Sequence, residues 1–147
     1  MVKTFTKGDI EKLASDLIIK LASLKNKGAT VLALSGELGA GKTTLTQEIG
    51  RLLGIVKTMV SPTFVIMKKY ELKKGEYKWK NLIHIDAYRM EKSQELFNLG
   101  WQEARDNEEN LIIVEWPEKV PECLTGGICQ VVLGHKGDEA RTFEILL

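Results

Sequence analysis

A glycine-rich octapeptide carries the most recognisable chemistry of this sequence, Gly36-Glu37-Leu38-Gly39-Ala40-Gly41-Lys42-Thr43. It matches the phosphate-binding loop (P-loop) pattern G-x-x-x-x-G-K-[ST] at every fixed position. Glycines let backbone N–H groups converge on phosphate oxygens, and the N-terminus of the following helix adds about half a positive charge. We expect Lys42 to contact the β- and γ-phosphates of a nucleotide, Thr43 to bind magnesium and Thr44 to contact the α-phosphate.

Two apolar runs of the sequence each end in a carboxylate. Leu82 to Ile85 precedes Asp86, and Leu111 to Val114 precedes Glu115. Buried parallel strands have this form, and their C-terminal ends face a ligand. A bound cation or a lysine would offset the cost of burying these charges. We assign Asp86 to the Walker-B position, and Glu115 is either a further magnesium ligand or the base that orients the attacking water.

Two more features of the sequence have alternative interpretations. His84 lies two residues before Asp86 on the same face of the strand, so it is either a partner of that carboxylate or a structural histidine. The segment Ser61-Pro62-Thr63 follows the P-loop helix. It is either a switch that brings a hydroxyl to the γ-phosphate or an ordinary Ser-Pro turn.

The elements that must position these residues follow from the hydrophobic pattern. Apolar residues at helical spacing predict a helix that begins at Ile10 and ends near Gly28. A strand over Val31–Leu34, the P-loop and a helix over Lys42–Leu53 follow it. Further along, the pattern predicts a β-hairpin of Phe64–Leu72 and Glu76–Trp79, a helix over Ser93–Arg105 with Ser93 as N-cap, and strands over Gln130–Leu133 and Thr142–Leu147. We therefore predict one α/β domain over residues 1–147, with three layers, a mixed and mainly parallel central sheet and a β-hairpin insertion.

Composition narrows the class of protein. The chain of 147 residues is 44% hydrophobic and 28% charged, with a net charge of +1, which is typical of a globular domain and gives no overall field for binding nucleic acid. No stretch reaches the roughly 20 apolar residues of a membrane span, and no secretory signal is visible, so we expect a cytoplasmic protein. Cys123 and Cys129 have no partners at zinc spacing, and we expect them to be inert.

Four motifs in this order resemble the TsaE family. They are the P-loop, Ser61-Pro62-Thr63-Phe64, His84-Ile85-Asp86-Ala87-Tyr88-Arg89 and Glu115-Trp116-Pro117-Glu118, and the similarity extends over nearly the whole chain. Members of that family are P-loop ATPases needed to form threonylcarbamoyladenosine in tRNAs that read codons beginning with A. They act with the TsaD and TsaB proteins and meet tRNA through that complex, so the resemblance implies ATP and Mg²⁺ as cofactors.

The resemblance also implies roles for individual residues. Thr43 and Glu115 would hold magnesium, Asp86 would be catalytic, Thr63 would belong to a switch, and Trp116 would lie beside the nucleotide. Glu37 stands where the family often has aspartate, and the residues that contact adenine are left unassigned.

Three other functions compete with this interpretation. Thr6-Lys7-Gly8-Asp9 matches the guanine-reading pattern [NT]-K-x-D, but it precedes the P-loop, whereas GTPases place this element after it. A small-molecule kinase would need an arginine-rich lid, and Arg89 and Arg105 are isolated in the sequence. A nucleotide-gated interaction module with negligible turnover remains the third alternative.

Overall fold

The computed structural model describes residues 2–37, 39–55, 59, 66–73, 75–137 and 140–146. Its helices are α1 (Ile10–Ser23), α2 (Lys42–Leu52), α3 (Ser93–Phe97) and α4 (Trp101–Asp106). Its strands are β1 (Val2–Phe5), β2 (Thr30–Gly36), β3 (Met67–Glu71), β4 (Asn81–Asp86), β5 (Asn110–Glu115), β6 (Cys129–Lys136) and β7 (Ala140–Leu146). Within these ranges, none of the helices could span a membrane.

All of these strands form one seven-stranded sheet in the order β1-β7-β6-β2-β5-β4-β3. The central pairs β6–β2, β2–β5 and β5–β4 are parallel, and the outer pairs are antiparallel. The predicted mixed, mainly parallel sheet is therefore confirmed. Because β2, β5 and β4 are parallel neighbours, their C-terminal ends meet at one edge of the sheet, where the P-loop begins.

Helices cover the sheet on two faces, as the three-layer prediction required. Side chains of α1 and α2 pack with alternate residues of the strands, such as Leu32 and Ile113, in one core cluster. Side chains of α3 and α4 pack with the intervening residues, such as Val31 and Ile112, in a second cluster. This alternation assigns each strand residue to a face of the sheet. His84, Asp86 and Glu115 continue the period of Leu82 and Ile113, so they lie on the face of α1 and α2.

The β-hairpin differs from its prediction. β3 pairs antiparallel with β4, and the Leu72 N–H donates to the Lys80 carbonyl at 2.9 Å to extend the pairing. The predicted second arm, Glu76–Trp79, is not a strand. Trp79 is instead buried, and its indole N–H donates to the Thr30 hydroxyl at 2.9 Å. Core burial of this large ring determines the path of the segment, and the antiparallel pairing starts after it.

The predicted helix over Ser93–Arg105 is divided in two. The first segment, α3, ends at Phe97, and Gly100, with a left-handed φ of 91°, is the N-cap of α4. The N-cap of α3 is Lys92, and Ser93 is the first helical residue, so the N-cap prediction was wrong by one position. The Glu95 carboxylate accepts hydrogen bonds from the Glu91 and Lys92 N–H groups at 2.6 and 3.0 Å. The side chain at the third position of the helix thus stabilises its start.

Candidate nucleotide site

The P-loop connects β2 to α2, as the sequence predicted. Gly36 has a φ of 144°, and a Cβ at this position would collide with the Leu133 carbonyl oxygen of β6. Gly41, the N-cap of α2, has a φ of 103°, and a Cβ at this position would meet no other atom. Glycine is therefore required here by the backbone conformation and not by lack of space. These glycines allow the loop to turn tightly from β2 and expose the N-terminus of α2. Leu38 of the same motif lies outside the described residues.

Lys42 is held at the base of this loop. Its Nζ donates to the carbonyl oxygens of Gly36 and Glu37 at 2.5 and 3.0 Å and lies 4.1 Å from the centroid of the Trp116 ring. Burial lowers the pKa of Lys42, while the charges of Glu115, Glu118 and Asp86 oppose that shift. The ammonium is therefore held by neutral acceptors and an aromatic face, which phosphate oxygens can replace with stronger, charge-assisted hydrogen bonds.

Thr43 and Glu115 are in direct contact. The Thr43 hydroxyl lies 3.0 Å from one Glu115 carboxylate oxygen and 3.2 Å from the other. Glu115 is only 2% exposed, at the last position of β5. The first helical turn after the P-loop and a buried strand end thus bring a hydroxyl and a carboxylate together from positions 72 residues apart in the chain.

His84 forms the other contact of Glu115. The His84 ring is 1% exposed, and its Nε2 is hydrogen-bonded to Glu115 Oε2. Of the two interpretations of His84, the partnership with Asp86 is wrong, because the carboxylate that the ring contacts is that of Glu115. The register explains this result: His84 pairs with Ile113 on β5, and Glu115 follows two residues later on the same face.

Asp86 lies beside Glu115, because the two residues pair in register at the ends of β4 and β5. Its carboxylate accepts a hydrogen bond from the Tyr88 N–H at 3.0 Å. Burial raises the pKa of Asp86 above its ordinary value, and the negative charge of Glu115 raises it further, while the Tyr88 N–H opposes the shift. The carboxylate is thus a stronger proton acceptor than an exposed aspartate.

Two aromatic rings, those of Trp116 and Tyr88, also belong to the site. Trp116 has a left-handed backbone, with φ 60° and ψ 52°, which turns the chain directly after Glu115. Its ring lies 5.0 Å from that of Tyr88, which is 50% exposed. No separate pattern in the sequence points to Tyr88, although the residue belongs to the motif that contains Asp86. The Trp116 ring contacts the Lys42 ammonium, and the Tyr88 N–H contacts the Asp86 carboxylate, so each residue of the pair touches one charged group of the site.

A cavity of about 570 Å³ adjoins the P-loop. It is lined by Phe5, Thr6, Lys7, Gly8, Ile10, Gly39, Ala40, Gly41, Thr44 and Arg141. Sequence reasoning missed it because β1 was not predicted and because Arg141 is distant in the chain. The segment Thr6–Asp9 therefore does approach the P-loop. The Asp9 carboxylate, however, accepts hydrogen bonds from the Thr6 N–H and hydroxyl at 2.9 and 3.1 Å within its own turn.

The donor set fits magnesium. Mg²⁺ binds oxygen ligands and in nucleotide sites uses one or two carboxylates together with substrate phosphates. Thr43, Glu115 and Asp86 supply such oxygens at one end of α2. Within the described part of the chain there is no group of three or more His, Cys, Asp or Glu side chains that could hold a metal ion. In nucleotide sites of this kind, phosphate oxygens and waters supply the other ligands of Mg²⁺.

Some sequence predictions do not enter this site. Ser61-Pro62-Thr63-Phe64 lies outside the described residues, so the position of Thr63 is not defined. Cys123 and Cys129 are buried free thiols, and burial raises the pKa of both. A raised thiol pKa disfavours the nucleophilic thiolate, in agreement with the expectation that these residues are inert.

The fold and the loop define a P-loop nucleotide-binding protein of the α/β class. Comparison with known proteins narrows this class. The family profile described as "Threonylcarbamoyl adenosine biosynthesis protein TsaE" matches residues 6–143. The chain belongs to the TsaE family, which confirms the resemblance inferred from the four motifs.

Individual relatives agree with this assignment. The Bacillus subtilis protein named "tRNA threonylcarbamoyladenosine biosynthesis protein TsaE" is 39% identical over 124 residues, which is 84% of this chain and 73% of the relative. The protein of the same name from Streptomyces coelicolor is 38% identical over 133 residues, covering 83% and 82%. The crystal structure of Bacillus subtilis YdiB superimposes with a TM-score of 0.61 at 28% identity, covering 97% of this chain and 84% of that one.

Proposed function

We propose that this protein is a magnesium-dependent ATPase required for forming threonylcarbamoyladenosine in tRNAs that read codons beginning with A. The names of the relatives support the pathway, and the geometry supports the chemistry. The contact between the Thr43 hydroxyl and the buried Glu115 carboxylate carries the proposal. It joins the phosphate loop to an acidic strand end, which is the arrangement that a magnesium–nucleotide complex requires.

The P-loop residues bind and orient the nucleotide in this proposal. Lys42 exchanges its carbonyl contacts for the β- and γ-phosphates, and backbone N–H groups from Gly36 to Thr44 surround the phosphate chain. Thr43 and Glu115 hold magnesium, with Asp86 beside them. The bound cation would neutralise charge that develops on the phosphate oxygens.

Asp86 acts on the attacking water. Its raised pKa makes it a better proton acceptor than an ordinary aspartate, and its position next to Glu115 puts it at the phosphate end of the site. Trp116 contacts the Lys42 ammonium with its ring, and Tyr88 holds the Asp86 carboxylate through its backbone N–H. We further propose that Thr63 belongs to a switch that responds to the γ-phosphate.

The cavity beside the P-loop is our proposed site for the nucleotide base. Its volume of about 570 Å³ is within the usual range of roughly 300–1,000 Å³ for ligand pockets. Adenine is favoured over guanine because the Asp9 carboxylate is engaged by Thr6, whereas guanine recognition by [NT]-K-x-D needs that carboxylate at the edge of the base. Competition of ATP and GTP for a fluorescent ADP analogue tests this choice; tighter binding of GTP would reverse it.

The proposed setting is the cytoplasm, in a complex with TsaD and TsaB that brings the protein to tRNA. We expect weak ATP hydrolysis by the isolated chain and faster hydrolysis with these partners. The decisive experiment measures threonylcarbamoyladenosine formation on tRNA by TsaD and TsaB, with no addition, with the wild-type chain and with Lys42→Ala. Multi-turnover formation that needs the wild type and is lost with Lys42→Ala is the expected result.

Two outcomes would replace the proposal. If the wild type hydrolysed no ATP even with both partners, while nucleotide still changed its affinity for them, the chain would be a nucleotide-gated interaction module. If it transferred phosphate from ATP to a nucleoside or sugar in a substrate panel, it would be a small-molecule kinase.

A further inference from the structure

The buried imidazole of His84 has no role in the mechanism described above. It occupies the middle of β4, between Lys68 of β3 and Ile113 of β5 in the sheet register. A polar ring that is 1% exposed needs a hydrogen-bond partner, and the partner that the structure provides is Glu115 Oε2. The ring thus contacts the carboxylate that is proposed to hold magnesium.

We propose that His84 is a positioning residue that fixes the Glu115 carboxylate for magnesium. The inference rests on the metal role proposed for Glu115. His84 holds one carboxylate oxygen from the sheet side, while the Thr43 hydroxyl contacts the carboxylate from the P-loop side. Contacts from two sides restrict rotation of the carboxylate, so the oxygen nearest to Thr43 stays directed at the loop.

The acceptor determines the direction of this contact. An ionised carboxylate only accepts, so the hydrogen bond to Glu115 Oε2 requires a proton on His84 Nε2. His84 Nδ1 is buried and has no hydrogen-bond partner among the described residues. His84 thus directs Glu115 through an N–H donor.

A pair of amide variants separates positioning from packing. The glutamine Nε2 group reaches about as far from the backbone as the histidine Nε2, whereas the asparagine Nδ2 reaches only as far as the histidine Nδ1. His84→Gln therefore keeps a donor for Glu115. His84→Asn carries the same amide group, but the group is too short to reach Glu115. Thermal unfolding of each variant measures the effect on stability separately.

The readout is binding of a fluorescent ADP analogue at increasing Mg²⁺ concentration and with Mg²⁺ removed by chelation. For His84→Asn we expect the Mg²⁺ concentration of half-maximal effect to rise roughly tenfold, the lower end of the 10–100-fold losses seen for partners of metal ligands. Metal-free binding should stay within about threefold of wild type. His84→Gln should restore most of the Mg²⁺ dependence.

Equal shifts in the Mg²⁺ dependence of the two variants would reduce His84 to a packing residue and overturn the inference. Unchanged Mg²⁺ dependence in both would do the same. A wild-type affinity that does not respond to Mg²⁺ would instead overturn the metal role of Glu115, and this inference with it.

A spectroscopic measurement on the wild type does not depend on the folding of any variant. Nitrogen chemical shifts distinguish the two neutral tautomers and the imidazolium ring. The chain has two histidines, and the exposed His135 provides an internal comparison for His84. We expect a proton on His84 Nε2. A ring protonated only on Nδ1 would lack the donor to Glu115 and overturn the proposal.

Discussion

Replacing Thr43 with valine tests the link between the P-loop and magnesium. The substitution keeps the shape of the side chain and removes the hydroxyl that lies 3.0 and 3.2 Å from the Glu115 oxygens. A hydrogen bond to a charged group contributes about 1.5–3 kcal/mol, and each 1.4 kcal/mol is a factor of about ten in affinity. If the hydroxyl makes a comparable interaction with the cation, Thr43→Val lowers the ratio of ADP affinity with Mg²⁺ to ADP affinity without it by about 10–100-fold.

The assay is calorimetric titration of ADP with Mg²⁺ and with a chelator, and the ratio of the two affinities is the measured quantity. Thr46→Val is the matched control, because Thr46 lies one turn later on α2 and its hydroxyl donates to the Lys42 carbonyl at 3.0 Å, inside the helix. We expect the ratio to fall in Thr43→Val and to stay near wild type in Thr46→Val. A wild-type ratio in Thr43→Val, or the same fall in both variants, would refute the argument.

The remaining predictions concern catalysis, the loop and the core. Asp86→Asn should abolish ATP hydrolysis and keep ADP binding within about threefold; hydrolysis near the wild-type rate would exclude Asp86 as the base. Because the folded-state pKa of Asp86 is raised, its ionisation opposes folding above that pKa. Asp86→Asn should therefore unfold at higher temperature than wild type at neutral pH, and the difference should vanish as the pH falls through that pKa towards the ordinary value of 3.8. Gly41→Ala forces a side chain into a left-handed conformation and should destabilise the fold by about 1–2 kcal/mol in chemical denaturation, with weaker nucleotide binding; unchanged stability would show that the loop relaxes freely. Trp79→Phe leaves the buried Thr30 hydroxyl without its donor and should cost about 1–3 kcal/mol beyond a mild loss of packing. Thr30→Val in the same background should recover part of that loss.

The sequence predicts the parts of this fold whose patterns are local. The apolar runs before Asp86 and Glu115 predict buried parallel strands, and the P-loop predicts its own strand–loop–helix context. The contacts between neighbouring strands could not be predicted from the sequence in the same way. Whether His84 meets Asp86 or Glu115 depends on the register of β4 against β5, which a single strand sequence does not contain.

Two other features escaped prediction for different physical reasons. β1 is only four residues long, and it forms by pairing with β7 at the far end of the chain, so its own sequence carries little signal. Trp79 alternates with its neighbours as a strand residue would, yet burial of its ring against Thr30 takes precedence over that local pattern. Tertiary contacts determine both outcomes.

The position of Trp116 gives the protein an internal optical reporter. Of the three tryptophans, Trp79 and Trp101 are 2% and 1% exposed in the two core clusters, whereas Trp116 is partly exposed and lies 4.1 Å from the Lys42 ammonium. A charged group at this distance perturbs indole emission. Movement of Lys42 towards phosphate would therefore change the fluorescence of Trp116 while the two core rings contribute a constant background. Nucleotide arrival and departure can thus be followed in the unlabelled protein, on the timescale of a stopped-flow measurement.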